Sequence, residues 1–165
     1  MGIGYTQVLN KGISFVTATP VHTPGDRVLF GGDEYIYMYN RGGTMTAKAG
    51  YPVYMSVNTG YSFTAGSFTT DVDSVAGIVK HVDIPIAEYG WVLARGWVDV
   101  YAGLNTGLAV GDKLIGVSTT NTGGISRKTL HTAYSQMAGE PIPFGECCQA
   151  AATGAAGACR IWGAW

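Results

Sequence analysis

Alternation of apolar and polar residues is clearest over residues 75–101, VAGIVKHVDIPIAEYGWVLARGWVDVY. Because strand side chains point to opposite faces with period two, the pattern predicts two β-strands joined by a polar, proline-containing connection. One predicted face of the second strand is small and apolar: Val92, Ala94, Gly96, Val98 and Val100. The other is bulky: Trp91, Leu93, Arg95, Trp97, Asp99 and Tyr101. We expect this chain or another molecule to cover the bulky face, since it is costly in water.

A second alternating stretch covers residues 34–40, EYIYMYN, and predicts another strand. Its tyrosines share one face, while Ile36 and Met38 share the other. Paired glycines in the following RGGT favour a tight turn. Residues 49–58 are then expected to return as the second strand of a hairpin, and Pro52 places that strand at an edge or at its own start. Residues 61–73 are polar and predict a long loop or a weak strand.

Shorter patterns complete the expected elements. Strands are expected over residues 13–17, 27–30, 113–117 and 125–128, and residues 127–138 carry the only helical spacing. The C-terminal residues predict a hairpin. A two-residue turn at Thr153 and Gly154 would place Cys148 opposite Cys159.

Composition supports a single all-β domain. The chain has 25 glycines, 47% hydrophobic residues and only 13% charged residues among its 165 positions. Many turns and strand-forming residues favour a small antiparallel β-barrel or β-sandwich over residues 34–165. Residues 1–33 are broken by proline and glycine, and are expected to form an extended N-terminal arm that pairs with a neighbouring subunit, or a flexible leader. The low charge suggests that partners bury much of the surface.

Charge and hydropathy exclude two classes of partner. A net charge of −1 with scattered basic residues argues against nucleic acid, because phosphate binding needs clustered lysine and arginine. No apolar run approaches the ~18 residues of a membrane span. The N-terminus also lacks the basic and apolar regions of a secretory signal, so synthesis in the cytoplasm is expected.

Catalytic and metal motifs are missing from the sequence. His22, His81 and His131 lie far apart, and there is neither a nucleophile elbow nor a phosphate-binding glycine loop. The three cysteines lack the spacing of a zinc site. Cys148 and Cys159 are either a cross-strand disulfide or, as we favour, reduced buried thiols. No catalytic, cofactor-binding or metal site is expected, and the chain is predicted not to be an enzyme.

The four tryptophans are the strongest functional signal. Aromatic residues are enriched at subunit interfaces, and exposed aromatics flanked by Arg95 and Asp99 could instead stack on sugar rings. At least two of the four are expected to belong to the core.

The order of these segments resembles that of tailed-phage head decoration, or capsid cement, proteins. The resemblance covers residues 34–165 and is carried by EYIYMYNRGGTMTAKAGYPVYM, VAGIVKHVDIPIAEYGWVLARGWVDV, LAVGDKLIGVSTTNTGGISR and the closing ACRIWGAW. It implies a small β-barrel or β-sandwich on the outside of a phage capsid, often as a homotrimer.

The resemblance therefore implies a virion structural protein whose partners are the major capsid protein and further copies of itself. Residues 2–30 would supply one contact. The interface residues expected from this hypothesis are Trp91, Leu93, Arg95, Trp97, Trp162, Trp165, Phe15 and Phe30. The alternative is a phage tail or adhesion protein that binds host glycan through the same aromatic residues.

Overall fold

A computed structural model describes residues 12–43, 46–55, 60–65, 75–102, 107–116, 125–127, 144–152 and 154–162. Within these ranges the chain forms eleven strands and no helix, which confirms the all-β prediction. The strands are β1 Val16–Thr17, β2 Arg27–Phe30, β3 Asp33–Gly43, β4 Pro52–Met55, β5 Ser62–Ala65, β6 Val75–Ile78, β7 Tyr89–Tyr101, β8 Lys113–Gly116, β9 Ile125–Arg127, β10 Gly145–Cys147 and β11 Ala156–Ile161.

Five of these strands close a β-barrel. Its order is β3-β5-β4-β6-β7, and pairing of β3 with β7 completes the circle. One pairing, β3 with β5, is parallel, and the others in the barrel are antiparallel. The expected hairpin between β3 and β4 is wrong, because β5 lies between them. Pro52 is the first residue of β4, where its missing N–H is tolerated.

Two hydrophobic cores lie on opposite sides of the barrel wall. Every barrel strand contributes to the inner core, which contains Ile36, Met38, Val53, Phe63, Ala76, Val92 and Ala94. The second core lies outside the wall and includes Tyr35, Tyr37, Trp91 and Leu93. The predicted two-faced pattern of β3 is thus confirmed. Both of its faces are buried, as is the first half of β7.

A β-bulge divides β7 into two halves. Glu34 pairs with Arg95 and Tyr35 with Leu93, so Ala94 is an extra residue on β7. One inserted residue reverses which side chains face a given core. Odd-numbered residues such as Leu93 face the outer core before the bulge, and even-numbered residues such as Val98 face it afterwards. The uninterrupted alternation expected for this strand is therefore wrong, although the strand pair itself is present.

The second half of β7 belongs to a C-terminal sheet. Its order continues from β7 through β11, β10 and β8 to β9. The inner face of this sheet adds Val100, Leu114, Cys159 and Ile161 to the outer core. The final hairpin pairs Cys147, rather than the expected Cys148, with Cys159.

The N-terminal segment packs on the barrel from residue 12 onward. β1 pairs with β7 and β2 pairs with β3, while Ile13 and Val28 are buried in the outer core. Residues 12–33 therefore pack on the barrel, where the sequence predicted an extended arm over residues 1–33. Residues 1–11 lie outside the described part of the chain. The helical candidate also lies outside it, except for Arg127, which ends β9.

Candidate interaction face

The outward side of the C-terminal sheet carries a row of large polar and aromatic side chains. Trp97 on β7 pairs with Arg160 on β11, which pairs with Glu146 on β10, which pairs with Lys113 on β8. Directly opposed strand residues have Cβ atoms about 5 Å apart, so the four side chains adjoin one another. Most of their neighbours of opposite parity are buried, which turns this row toward solvent.

Two tryptophans mark the row. Trp97 is 53% exposed, and Trp162, directly after β11, is 41% exposed. The Lys113 Nζ lies 4.8 Å from the centroid of the Trp162 ring, a cation–π contact that places this indole on the same side. Arg95 is also exposed and lies two residues before Trp97 on β7. We call this surface the outer tryptophan face; its residues are Arg95, Trp97, Lys113, Glu146, Arg160 and Trp162.

Charge on the outer tryptophan face is only partly neutralised. Lys113 Nζ and Glu146 Oε2 form an ion pair at 2.7 Å. Among the described residues, Arg95 and Arg160 form no ion pair. Asp99, which is exposed, lies two residues after Trp97 on the same strand. Trp97 thus has two guanidinium groups and one carboxylate at adjacent strand positions, and none of the three is in an ion pair within the described ranges.

A buried carboxylate holds the backbone beneath this face. Asp33, 8% exposed, accepts a hydrogen bond from the Trp97 N–H at 3.1 Å through Oδ1. Its Oδ2 forms an ion pair with Lys80 and lies 3.3 Å from the Tyr35 hydroxyl. That hydroxyl is also 2.8 Å from His81 Nε2. The Asp33 cluster, comprising Asp33, Tyr35, Lys80 and His81, thereby satisfies a buried acid and anchors β7 just after its bulge.

Burial and nearby charge shift two pKa values in the Asp33 cluster. Burial, reinforced by the negative charge of Asp33 and a hydrogen bond to it, raises the pKa of Tyr35. Burial and the Lys80 ammonium lower the pKa of His81, partly opposed by Asp33. Both shifts favour the neutral side chain. Tyr35 and His81 are therefore structural hydrogen-bonding partners at neutral pH.

The structure separates the eight expected interface residues. Arg95, Trp97 and Trp162 lie together on the outer tryptophan face. Trp91 and Leu93, at 4% and 0% exposure, are core residues, so their expected place on an open interface is wrong. The physical reason is the bulge, which turns them to the opposite side from Trp97.

The aromatic side chains outside this face have different surroundings. Phe15 is partly buried against the outer core, with its ring centroid 6.4 Å from that of Tyr37. Phe30 is 49% exposed at the end of β2, where it pairs with Asp33 on β3. Trp165 lies outside the described residues.

Sequence reasoning missed Asp33, Lys113, Glu146 and Arg160. Their parity in the terminal strand predicts that Arg160 and Trp162 share one side, but Arg160 was not assigned to an interface. The pairing of Lys113 with Glu146 depends on a contact between β8 and β10, which no local pattern reveals.

The side chains of this face are of the types that form binding surfaces. In the described ranges no group of three or more His, Cys, Asp or Glu side chains could hold a metal ion. The same ranges contain no helix long and apolar enough to cross a membrane. Exposed indoles and guanidinium groups on a rigid sheet are typical of protein or carbohydrate recognition.

Comparisons with protein-family models, with curated proteins and with solved structures gave no match for this chain.

Proposed function

We propose that this chain is a non-enzymatic virion structural protein that binds the outer surface of a phage capsid and stabilises the shell by bridging neighbouring capsid subunits. The observation that carries the proposal is the outer tryptophan face, where two exposed indoles share one side of a sheet with two guanidinium groups that form no ion pair within the described ranges. Tryptophan and arginine are the residues that most often dominate binding energy at protein interfaces.

Both indoles of the outer tryptophan face leave apolar area exposed. Trp97 and Trp162 retain about half of their surface in water. Covering the remainder against a partner contributes about 2 kcal/mol for each indole. A single contact of this size is weak, but a protein that touches several capsid subunits at once gains strongly from multivalency.

The expected partners are the major capsid protein and further copies of this chain as a homotrimer. The chain would be made in the host cytoplasm and reside on the virion surface. Its low charge and covered barrel wall suit a protein that works in a crowded shell. Binding only to the assembled shell would shift capsid subunits toward that state by mass action.

Heat resistance of particles tests this proposal. Particles that lack this chain are expected to release their genome at a lower temperature, and added wild-type chain should restore resistance. Trp97→Ala should fail to restore it while retaining its β-sheet circular dichroism. Ile86→Ala is the matched control, since Ile86 is 46% exposed and lies in the connection before β7, outside the C-terminal sheet. Full rescue by Trp97→Ala would contradict the proposal.

A second function is supported by the polar groups around Trp97. An exposed indole flanked by Arg95, Arg160 and Asp99 offers both a stacking surface and hydrogen-bonding groups, as glycan sites do. A tail or adhesion protein would use them to bind host glycan. Glycan-array binding by the isolated chain that is lost in Trp97→Ala, with no effect of the chain on particle heat resistance, would favour this function instead.

A further inference from the structure

Two buried cysteines face each other across the terminal hairpin. Cys147 on β10 and Cys159 on β11 are direct register partners, and their exposures are 1% and 0%. Because directly opposed strand residues point to the same face, the two thiols adjoin one another. Each thiol is also close to a carbonyl two residues away on its own chain segment, Gln149 O for Cys147 and Gly157 O for Cys159.

The hydrogen-bond pattern identifies the kind of pair they form. Trp162 N–H donates to Phe144 O at 3.0 Å, and Cys148 N–H donates to Ala158 O at 2.9 Å. Between these bonds, the Cys147 N–H turns away from β11 and donates to Asp112 O. Cys147 and Cys159 therefore occupy a non-hydrogen-bonded site, where opposed Cα atoms approach to about 4.5 Å and side chains are closest. This separation lies within the ~4.4–6.8 Å that a disulfide requires.

The third thiol serves as an internal comparison. Cys148 is exposed, and its parity places it on the opposite side of β10 from Cys159. It is accessible to reagents, but it cannot meet Cys159 within this hairpin.

We propose that Cys147 and Cys159 are a thiol-oxidation site that closes an intramolecular cross-strand disulfide between β10 and β11. The oxidant is a low-molecular-weight disulfide such as oxidised glutathione. When the hairpin opens transiently, one cysteine ionises, and its thiolate attacks the oxidant and releases one glutathione thiol. The second cysteine then displaces the other glutathione thiol. Two S–H bonds are lost, one S–S bond forms in the protein, and the oxidant is reduced to two thiols.

The cross-link acts on the outer tryptophan face. Cys147 follows Glu146, and Cys159 precedes Arg160, so the bond fixes the two strands that carry this pair. It also constrains the unfolded chain by closing the loop of residues 147–159. A rise of roughly 5–10 °C in Tm is expected for such a loop in a chain of this size.

Oxidation of the full-length Cys148→Ser variant tests the site without thiol exchange from Cys148. After incubation with oxidised glutathione, the expected product is a monomer lighter by two hydrogen atoms, with a peptide cross-link between Cys147 and Cys159 and a higher Tm that dithiothreitol reverses. The control Cys148→Ser/Cys159→Ala, checked for folding by circular dichroism, should form no such link.

Two results would overturn the inference. One is a folded Cys148→Ser variant whose two remaining thiols still react fully with an alkylating agent under denaturing conditions after oxidation. The other is an oxidised protein with the cross-link but an unchanged or lowered Tm, which would show that the native strand register does not accommodate the bond.

Discussion

The carboxylate of Asp33 accepts a hydrogen bond from the backbone N–H of Trp97 at 3.1 Å. These residues lie on different strands, and the bond fixes β7 just where its bulge ends. It links a buried acid of the outer core to the most exposed tryptophan of the described residues. The orientation of the outer tryptophan face therefore depends on a residue that lies beneath it.

Gly96 makes this close approach possible. Its φ is +139°, and an added Cβ would lie 2.0 Å from Asp33 Oδ1. We expect Gly96→Ala to lower the free energy of unfolding by about 3 kcal/mol or more, because backbone strain adds to a steric clash. Urea denaturation of the variant measures the loss.

Gly42→Ala is the matched control, since Gly42 has a φ of +135° with no atom within 4 Å of an added Cβ. It reports the backbone strain alone. Equal losses in the two variants would show that the Asp33 carboxylate moves aside at little cost.

Removal of the Asp33 carboxylate should destabilise the fold. Asp33→Ala leaves the Lys80 ammonium and the Trp97 N–H without their acceptor in a poorly solvated site, which we expect to cost about 2–3 kcal/mol. Glu146→Ala breaks an ion pair whose side chains are 36% and 44% exposed, and should cost less than about 1 kcal/mol. Chemical denaturation compares the two, and a larger loss for Glu146→Ala would contradict the role of the Asp33 cluster.

Local patterns were sufficient for the fold class and for some strand faces. Tyr35 and Tyr37 share one core while Ile36 and Met38 share the other, as period two requires. Trp97 was expected at an interface with another molecule, and in the isolated chain it is 53% exposed.

Non-local pairing explains the errors. β5 separates β3 from β4 through a parallel contact that no turn signal between them encodes. Regular alternation assigned Trp91 and Trp97 to one face of β7. Ala94 is an extra residue between them, so the folded strand turns the two side chains to opposite sides. In the terminal hairpin, a shift of one residue replaced Cys148 by Cys147 as the partner of Cys159.

Trp91 and Trp97 should respond oppositely to truncation. Trp91 is 4% exposed and its ring centroid lies 5.1 Å from that of Tyr37, so Trp91→Ala is expected to cost about 3–5 kcal/mol. Trp97→Ala removes a half-exposed side chain and should cost about 1 kcal/mol or less. Thermal unfolding of both variants tests this, and a severe loss for Trp97→Ala would make that residue part of the core.

The indole N–H of Trp91 adds a sharper test. Nε1 is buried, and it has no hydrogen-bond partner among the described residues. Trp91→Phe removes this unsatisfied donor and keeps an aromatic ring. Its loss of unfolding free energy should therefore be about 2 kcal/mol smaller than that of Trp91→Ala. Similar losses for the two variants would show that the N–H is satisfied in solution.

Alkaline pH should weaken the terminal hairpin through Cys159. Burial, with the neighbouring Cys147, raises the pKa of Cys159 from 9.0 to about 12. The folded state therefore holds a proton that the unfolded chain releases. Stability from this group is complete below pH 9 and is lost as the pH rises toward 12. The urea midpoint of the reduced protein should fall over this window, with a further contribution from Tyr35, whose pKa is also raised.

Matched cysteine variants isolate the contribution of Cys159. Cys159→Ala should be less stable at neutral pH, because a buried side chain is truncated, but its urea midpoint should fall less steeply above pH 9. Cys148→Ala removes an exposed thiol and should retain the wild-type slope. If Cys159→Ala keeps the wild-type slope instead, the Cys159 thiol ionises equally in the folded and unfolded states, and the alkaline loss belongs to the buried tyrosines.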